Sequence, residues 1–375
     1  MTTATHPWLE ELQSLVTNQL NLEALRGRRI AAILGDTPST YAKSPRLWNA
    51  AFTALAVDAT YVPLDVPADR LPAVLHVLRS AEEFLGGSVT VPYKGQVLPL
   101  LDRVDSLAAR IGAVNVIARS PEGRLTGYNT DGLGGVQALT QPILPGQVAP
   151  FTTLTGLRTL LIGTGGAGQA LAVYLWERLG SGELVIANRT APPAQALVKR
   201  LQAMRPGRLT AVSETDIPRF AQSMDLIVNA TIKGQAGIRT LDNGRLTTLE
   251  PYSSLGPATP ADLPADTPES EFRSSWLRQS WQDVQENQAV SLELCVGLPR
   301  ACVCYDIIYA PQESVFLQQA RWSGHRTLNG KAMNVVQAVE AFTRYVCRDW
   351  LAAEGWNETE LTRRVTAAML EEWAK

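Results

Sequence analysis

Residues 157–168 read LRTLLIGTGGAG, and this stretch decides the fold of the chain. Its first six residues are an apolar run that predicts a buried strand, and the glycines after it predict a tight turn into a helix at about 168–180. A second apolar run at 183–187 predicts the next strand. Such a strand–helix–strand unit is typical of a parallel sheet covered by helices.

The glycines of this turn have the spacing of a phosphate-binding loop. Gly163 permits the tight turn, Gly165 lets the backbone approach a pyrophosphate, and Gly168 allows close packing of helix on strand. The helix N-terminus offers unpaired N–H groups and the positive end of its dipole to phosphates. We therefore predict that a dinucleotide is bound by Gly163, Thr164, Gly165, Gly166, Ala167 and Gly168.

The end of the second strand indicates which dinucleotide is bound. Enzymes that use NAD usually have an acidic residue there, which accepts a hydrogen bond from the ribose 2′-hydroxyl. This chain has Asn188, Arg189 and Thr190 instead. A guanidinium is suited to a 2′-phosphate because it is permanently charged and bonds in a bidentate manner. The sequence therefore favours NADP.

Helices and strands alternate over most of the chain, as expected of an α/β protein. The patterns predict strands at 29–35, 59–64, 87–91, 225–229 and 301–308, and helices at 7–25, 69–85, 194–204, 333–354 and 358–374. Residues 255–290 are Pro-rich and acidic at first and then carry Trp276 and Trp281. We interpret them as an insertion, partly disordered and ending in a helix, and removal of about 257–290 should leave folding and catalysis largely intact.

The composition excludes several classes of protein. The chain has 375 residues, 45% of them hydrophobic, and a formal net charge of −2, so nothing indicates electrostatic binding to nucleic acid or to a membrane. The apolar runs are too short to span a bilayer, and residues 1–6 lack the features of a secretory signal. The four cysteines lack CxxC spacing, which argues against a metal site. We expect a cytoplasmic monomer or homodimer that acts on a small molecule.

Several strings outside the glycine turn carry more specificity. They are KSP at 43–45 followed by Asn49, SVTVPYK at 88–94, GAVN at 112–115, NTDG at 129–132, NAT at 229–231, YDIIY at 305–309, and Gly330 followed by Gln337. Together with Asn188-Arg189-Thr190, these strings resemble those of shikimate dehydrogenases. The resemblance runs in order from about residue 30 to 345. The resemblance implies NADP-dependent reduction of 3-dehydroshikimate to shikimate, a step of the chorismate pathway in aromatic amino acid biosynthesis.

The resemblance also implies an architecture and a set of residue roles. A discontinuous substrate-binding α/β domain, 1–135 and 332–375, would accompany a Rossmann-type doubly wound NADP domain at 136–331 that contains the insertion. Lys94 and Asp131 would be the catalytic pair. Ser44, Thr90, Asn115, Tyr309 and Gln337 would hold the substrate, and Gly330 would join Asn188, Arg189, Thr190 and the glycine turn around NADP.

The chemistry of ketone reduction agrees with the catalytic pair. The reaction needs a hydride from the nicotinamide and a proton for the developing alkoxide. An ammonium held beside a carboxylate can donate that proton or stabilise the oxyanion. A lone lysine is usually a solvated surface charge, and an Asp-Gly pair is often a turn or a helix cap; the strings around Lys94 and Asp131 favour the catalytic interpretation.

The chain departs from the family pattern at the carboxylate-binding string and beside the NADP string. Ala42 stands where a serine is usual, after Tyr41 in place of a histidine, and Ser88 stands where asparagine is frequent. Residues 191–193, Ala-Pro-Pro, lack the usual basic helper of Arg189. One interpretation is a divergent shikimate enzyme, and another is a quinate or amino-shikimate dehydrogenase. A third is a non-catalytic metabolite-binding relative, which would have no need of Lys94 and Asp131.

Overall fold

The structure is a computed structural model that describes residues 7–241 and 243–375. Its strands are β1 (Arg29–Gly35), β2 (Ala59–Asp65), β3 (Phe84–Val89), β4 (Arg103–Val104), β5 (Val116–Arg119), β6 (Leu125–Tyr128), β7 (Arg158–Ile162), β8 (Glu183–Asn188), β9 (Arg208–Ser213), β10 (Leu226–Asn229), β11 (Arg239–Thr240), β12 (Leu246–Thr247), β13 (Val303–Asp306) and β14 (Arg326–Leu328). Its α-helices are α1 (Pro7–Leu15), α2 (Leu22–Leu25), α3 (Pro38–Tyr41), α4 (Ser44–Leu55), α5 (Leu71–Ser80), α6 (Ser106–Ile111), α7 (Asp131–Thr140), α8 (Gly166–Leu179), α9 (Ala191–Met204), α10 (Ile217–Ala221), α11 (Glu269–Gly297), α12 (Val315–Trp322), α13 (Lys331–Glu340), α14 (Arg348–Ala353) and α15 (Glu358–Ala374). Short 3₁₀ helices occur at Ala68–Arg70, Leu98–Leu100 and Glu214–Asp216, and a π-helical segment at Ala341–Val346.

The chain divides into two compact units. The first contains Met1–Gly134 and Asn334–Lys375, and the second contains Gly135–Met333. The first unit holds a mixed six-stranded sheet in the order β2-β1-β3-β5-β6-β4. Strand β1 lies parallel to both β2 and β3, while β5 pairs antiparallel with β3 and β6. Six of the seven residues of β1 are buried, as expected of a central strand covered on both faces.

The second unit holds a six-stranded sheet in the order β14-β13-β10-β7-β8-β9, and every strand pair in it is parallel. Strand β7 precedes the glycine turn and helix α8, which confirms the predicted α/β class with a doubly wound parallel sheet. Gly163 has a φ of 106°, and a Cβ on Gly168 would lie 2.2 Å from the Gly163 carbonyl oxygen. Both positions therefore require glycine.

The predicted disorder within 255–290 is wrong. Helix α11 spans 29 residues, and its Phe272, Trp276 and Val284 are buried in a small core with Tyr252 and Leu263. The Trp276 indole N–H donates to the carbonyl of Ala261 at 2.9 Å. The Pro-rich part is ordered because apolar and polar groups of the helix hold it in place.

Two predicted helices are interrupted. The helix expected at 7–25 is two helices, α1 and α2, because the Gln13 side chain bonds the backbone of Asn18 and Leu20 and caps the turn between them. The helix expected at 333–354 contains the π-helical segment between α13 and α14. The last helix, α15, has the predicted bounds. In the ranges 7–241 and 243–375, no helix has the length and apolar character needed to cross a bilayer.

Candidate functional site

The first unit contains a largely buried ion pair beyond the end of β3. Lys94 follows that strand in a turn, and Asp131 is the first residue of α7. Lys94 Nζ donates to Asp131 Oδ2 at 2.6 Å, and the two side chains are 17% and 7% exposed. A charge-assisted bond of this length fixes the ammonium in one position. The remaining exposure of Lys94 leaves it accessible to a ligand.

Asn115 joins this pair to two other predicted residues. Its Nδ2 donates to Asp131 Oδ1 at 2.9 Å, to Thr130 Oγ1 at 3.0 Å and to Gln337 Oε1 at 3.3 Å. The Asn115 Oδ1 accepts from the Thr130 backbone N–H at 2.8 Å. Each oxygen of the Asp131 carboxylate therefore has its own donor. The structure brings Lys94, Asp131, Asn115 and Gln337 into one network.

Local backbone contacts hold the strings of this network together. The Val114 N–H donates to the Lys94 carbonyl at 2.7 Å, and the Thr90 N–H donates to the Leu34 carbonyl at 2.9 Å. A Cβ at Gly35 would lie 2.5 Å from Thr90 Cγ2, so a glycine at the end of β1 leaves space for Thr90. The string that carries Lys94 is thus anchored to β1 and to the segment preceding β5.

A second group of hydroxyls lies in the same unit and includes a residue that the sequence analysis missed. Ser44, at the start of α4, and Ser88, near the end of β3, are both buried. The buried Tyr61 hydroxyl interacts with both serines, and although burial raises the pKa of Tyr61, these hydroxyls act to lower it. None of these contacts has full hydrogen-bond geometry, so the Tyr61 hydroxyl retains its capacity to donate.

Asn49 fixes the position of Tyr61. Its Nδ2 donates to the Tyr61 carbonyl at 3.0 Å, and its Oδ1 accepts from the Tyr61 N–H at 2.9 Å. The sequence did contain a signal for Tyr61. It was the combination of Asn49 with a polar aromatic residue at a buried position of β2. The Tyr61 hydroxyl therefore lies beside both Ser44 and Ser88 in the first unit.

The second unit presents the glycine turn as predicted from the sequence. Helix α8 begins at Gly166, and its N-cap Gly165 makes no side-chain hydrogen bond to the first turn. Within 7–241 and 243–375, and apart from the adjoining backbone, no atom lies within 4 Å of the position that a Cβ of Gly165 would take. The N–H groups of the first helical turn are therefore uncapped by a side chain and approachable by a phosphate.

The string after β8 is connected to the glycine turn. Thr164 Oγ1 donates to Asn188 Oδ1 at 3.0 Å, and Asn188 Nδ2 donates to the Thr190 carbonyl at 3.2 Å. Arg189 is exposed. These residues fit a dinucleotide, because they offer backbone N–H donors for a pyrophosphate and a guanidinium for a 2′-phosphate.

Tyr309 and Gly330 lie in the loops after β13 and β14. A Cβ on Gly330 would lie 1.8 Å from the Ile307 carbonyl oxygen, so only glycine fits there. Burial raises the pKa of Tyr309 to about 12, so this phenol is neutral at physiological pH.

Asp306 is a buried carboxyl that organises the loops of this unit. It accepts hydrogen bonds from Ser314 Oγ at 2.5 Å, Asn229 Nδ2 at 3.0 Å and the Ile308 N–H at 3.0 Å. Asn229 Oδ1 in turn accepts from the N–H and hydroxyl of Thr231. Burial raises the pKa of Asp306 to about 7, although these donors act in the opposite direction.

Comparisons with known proteins agree with this arrangement. Residues 34–117 match the family model of the shikimate dehydrogenase substrate binding domain, and residues 148–250 match that of shikimate / quinate 5-dehydrogenase. The shikimate dehydrogenase (NADP(+)) of Carboxydothermus hydrogenoformans is 32% identical over 318 residues, which cover 84% of this chain and 91% of the relative. That of Citrifermentans bemidjiense is 32% identical over 344 residues, 90% of this chain and 96% of the relative.

This chain belongs to the shikimate dehydrogenase family.

A solved member of the family also shares the fold. The crystal structure of the Thermus thermophilus shikimate 5-dehydrogenase in complex with NADP(H) and shikimate aligns with a TM-score of 0.58 and 26% identity, covering 90% of this chain and 99% of that one.

The structure shows where the chain departs from the family pattern. Ala42 caps the C-terminus of helix α3, and its N–H donates to the Pro38 carbonyl at 3.0 Å. The methyl side chain of Ala42 offers no hydrogen-bond donor beside Ser44, whereas Tyr61 and Ser88 supply hydroxyls close to Ser44. Helix α11 lies outside both stretches that match the family models.

Proposed function

We propose that this chain catalyses the NADP-dependent, reversible reduction of 3-dehydroshikimate to shikimate. The observation that carries the proposal is the Lys94–Asp131 pair, with a 2.6 Å bond to one carboxylate oxygen and Asn115 on the other. Its relatives are named shikimate dehydrogenase (NADP(+)), which supports both the substrate and the cofactor.

Lys94 acts as the general acid in the direction of reduction. Its ammonium donates a proton to the oxygen of the substrate ketone as that oxygen gains negative charge. Asp131 holds the ammonium in place through the 2.6 Å bond to its Oδ2. In the oxidative direction Lys94 takes the proton back. The nicotinamide, when bound, supplies or accepts the hydride.

The remaining site residues bind and orient the substrate. Thr90, Asn115, Tyr309 and Gln337 hold the ring and its hydroxyls, and Ser44 binds the carboxylate. Tyr61 and Ser88 assist Ser44, because their hydroxyls share the same small region of the first unit. A hydrogen bond to a charged group contributes about 1.5–3 kcal/mol, so these donors offset the hydroxyl that Ala42 lacks.

NADP is bound by the second unit. The glycine turn at 163–168 and the start of α8 would hold the pyrophosphate, Asn188 and Thr190 would shape the edge of the site, and Arg189 would bind the 2′-phosphate. Gly330, where a Cβ would lie 1.8 Å from the Ile307 carbonyl oxygen, would complete the set of residues around NADP. We assign substrate binding to 1–135 and 332–375 and NADP binding to 136–331, in a cytoplasmic protein that is a monomer or homodimer.

A related substrate is the second candidate, favoured by Ala42 and Ser88. A quinate or amino-shikimate dehydrogenase would use the same Lys94 and Asp131 with a pocket altered near the carboxyl-bearing carbon. Steady-state turnover should be measured on shikimate, quinate and amino-shikimate, each with NADP and with NAD. The highest kcat/KM should be that for shikimate with NADP. A higher value for another ring acid would assign that substrate, and stoichiometric binding of NADP without turnover of any of them would contradict an enzymatic role.

A further inference from the structure

Helix α11 presents an apolar stripe to solvent on the side opposite its buried residues. Leu277, Trp281, Leu292 and Val296 are 39%, 53%, 39% and 70% exposed. Residues four apart lie on one face of a helix, so Leu277 and Trp281 form one exposed pair and Leu292 and Val296 another. The face that contains Phe272 and Trp276 packs on the protein instead. Exposed apolar patches that include tryptophan mark interaction surfaces.

The order of the stripe is palindromic. In the stretch 277–296, Leu277 lies as many residues before the middle as Val296 lies after it. The same holds for Trp281 and Leu292. Gln285 and Ala289, both exposed and uncharged, occupy the middle of the face. A second copy of the helix, laid antiparallel about a twofold axis, therefore brings Leu277 against Val296 and Trp281 against Leu292. Such self-complementarity is the property of an interface between identical subunits.

The charges beside the stripe favour the same orientation. Arg278 and Glu293 are exposed, lie on the same side of the stripe and are almost equally distant from its middle. In an antiparallel pair, each Arg278 faces Glu293 of the second copy, which gives two reciprocal ion pairs. In a parallel pair, the Arg278 and Glu293 side chains of the two copies would lie on opposite sides of the contact, and neither ion pair would form.

A further exposed tryptophan lies on the neighbouring helix α12. This helix packs against α11, where Gln319 Nε2 donates to the Gln288 carbonyl at 2.9 Å, and the following His325 ring contacts the Cys295 carbonyl at 2.8 Å. Trp322 lies at the end of α12, between Gln319 and His325 in the sequence, and is 63% exposed. The paired part of α11 is about 30 Å long at 1.5 Å per residue.

We infer that α11 is the homodimer interface of this protein, formed by antiparallel pairing of its exposed face with that of a second copy. The inference is independent of the reaction, because α11 carries none of the residues assigned to catalysis or to NADP. It selects the homodimer from the two oligomeric states predicted from the sequence.

The full-length chain should be examined by sedimentation equilibrium from about 1 to 100 μM. We expect dimers whose dissociation constant is in the micromolar range. Trp281→Asp and, separately, Leu292→Glu should each weaken the dimer by at least tenfold while kcat and the melting temperature of the monomer stay unchanged. Val148→Asp, at a position that is 84% exposed and distant in sequence, is the matched control and should leave the dimer intact.

Two further variants test the orientation. Arg278→Glu and Glu293→Arg should each weaken the dimer, and the double variant should restore it. Gln285→Cys, near the twofold axis, should form a disulfide between subunits under mild oxidation, whereas Leu277→Cys should not. The four native cysteines are buried and serve as a background. A protein that is monomeric at 100 μM, or a dimer that persists in both Trp281→Asp and Leu292→Glu, would overturn the inference. Self-linking at position 277 with none at 285 would overturn the antiparallel arrangement.

Discussion

Replacement of Lys94 by alanine should lower kcat by about 100-fold or more and leave the affinity for NADPH nearly unchanged. A positioned acid or base contributes about 10²–10⁴-fold to rate, and a 100-fold loss corresponds to about 2.7 kcal/mol of transition-state stabilisation. Lys94 donates the 2.6 Å bond to Asp131 Oδ2, whereas Asn115 holds Oδ1. The variant therefore loses the proton donor but keeps the orientation of the carboxylate.

The same substitution should have a modest effect on stability. A hydrogen bond to a charged group contributes about 1.5–3 kcal/mol. Since Lys94 is 17% exposed, water can replace part of this bond, and we expect a loss of about 1–2 kcal/mol. For a unit of this size, that loss lowers the melting temperature by about 2–8 °C. At the assay temperature the variant is folded, so the loss of rate reflects chemistry.

The assay combines steady-state kinetics, NADPH fluorescence titration and thermal unfolding by circular dichroism. Lys199→Ala, which removes an exposed lysine of α9, is the matched control and should behave like the wild type. Asp131→Asn should share most of the rate loss, and the double variant should be little worse than either single one, because the two groups act as a unit. A kcat for Lys94→Ala within a few-fold of the wild type would refute the role of Lys94.

Four other perturbations follow from the structure. Arg189→Ala should weaken NADPH far more than NADH in a binding titration, and equal weakening would show that Arg189 does not contact the 2′-phosphate. Ala42→Ser should lower KM for shikimate about tenfold per 1.4 kcal/mol regained, and an unchanged KM for all three ring acids would show that position 42 does not face the substrate. Trp276→Ala, which removes a side chain that is 1% exposed, should destabilise the protein by about 3–5 kcal/mol in urea unfolding, whereas Trp281→Ala, measured on the dilute monomer, should change stability little. Burial raises the pKa of Asp306 from 3.8 to about 7 in the folded protein, so the folded state binds the proton more tightly and stability falls as the pH rises from about 4 to 7. The melting temperature of Asp306→Asn should not show this fall. Parallel curves of melting temperature against pH for the two proteins would contradict the prediction.

The sequence alone determined the features whose chemistry is local. The glycine turn at 163–168 is recognisable because one strand, one turn and one helix N-terminus follow each other directly, and each glycine meets a steric demand of that turn. Lys94 and Asp131 were predicted because each stands in a specific string. The alternating periodicity that gives parallel strands and covering helices is likewise a property of short segments.

Only the tertiary structure decided the contacts between segments that are distant in the chain. Gln337 reaches Asn115 across 222 residues, and Tyr61 meets Ser44 and Ser88 because the fold brings β2, the start of α4 and the end of β3 together. The order of α11 depends on Phe272 and Trp276 finding a core in the preceding Pro-rich segment, whose composition by itself indicated disorder. Burial supplies the free energy for such order, and burial depends on which surfaces the folded chain brings together rather than on the periodicity of any single segment.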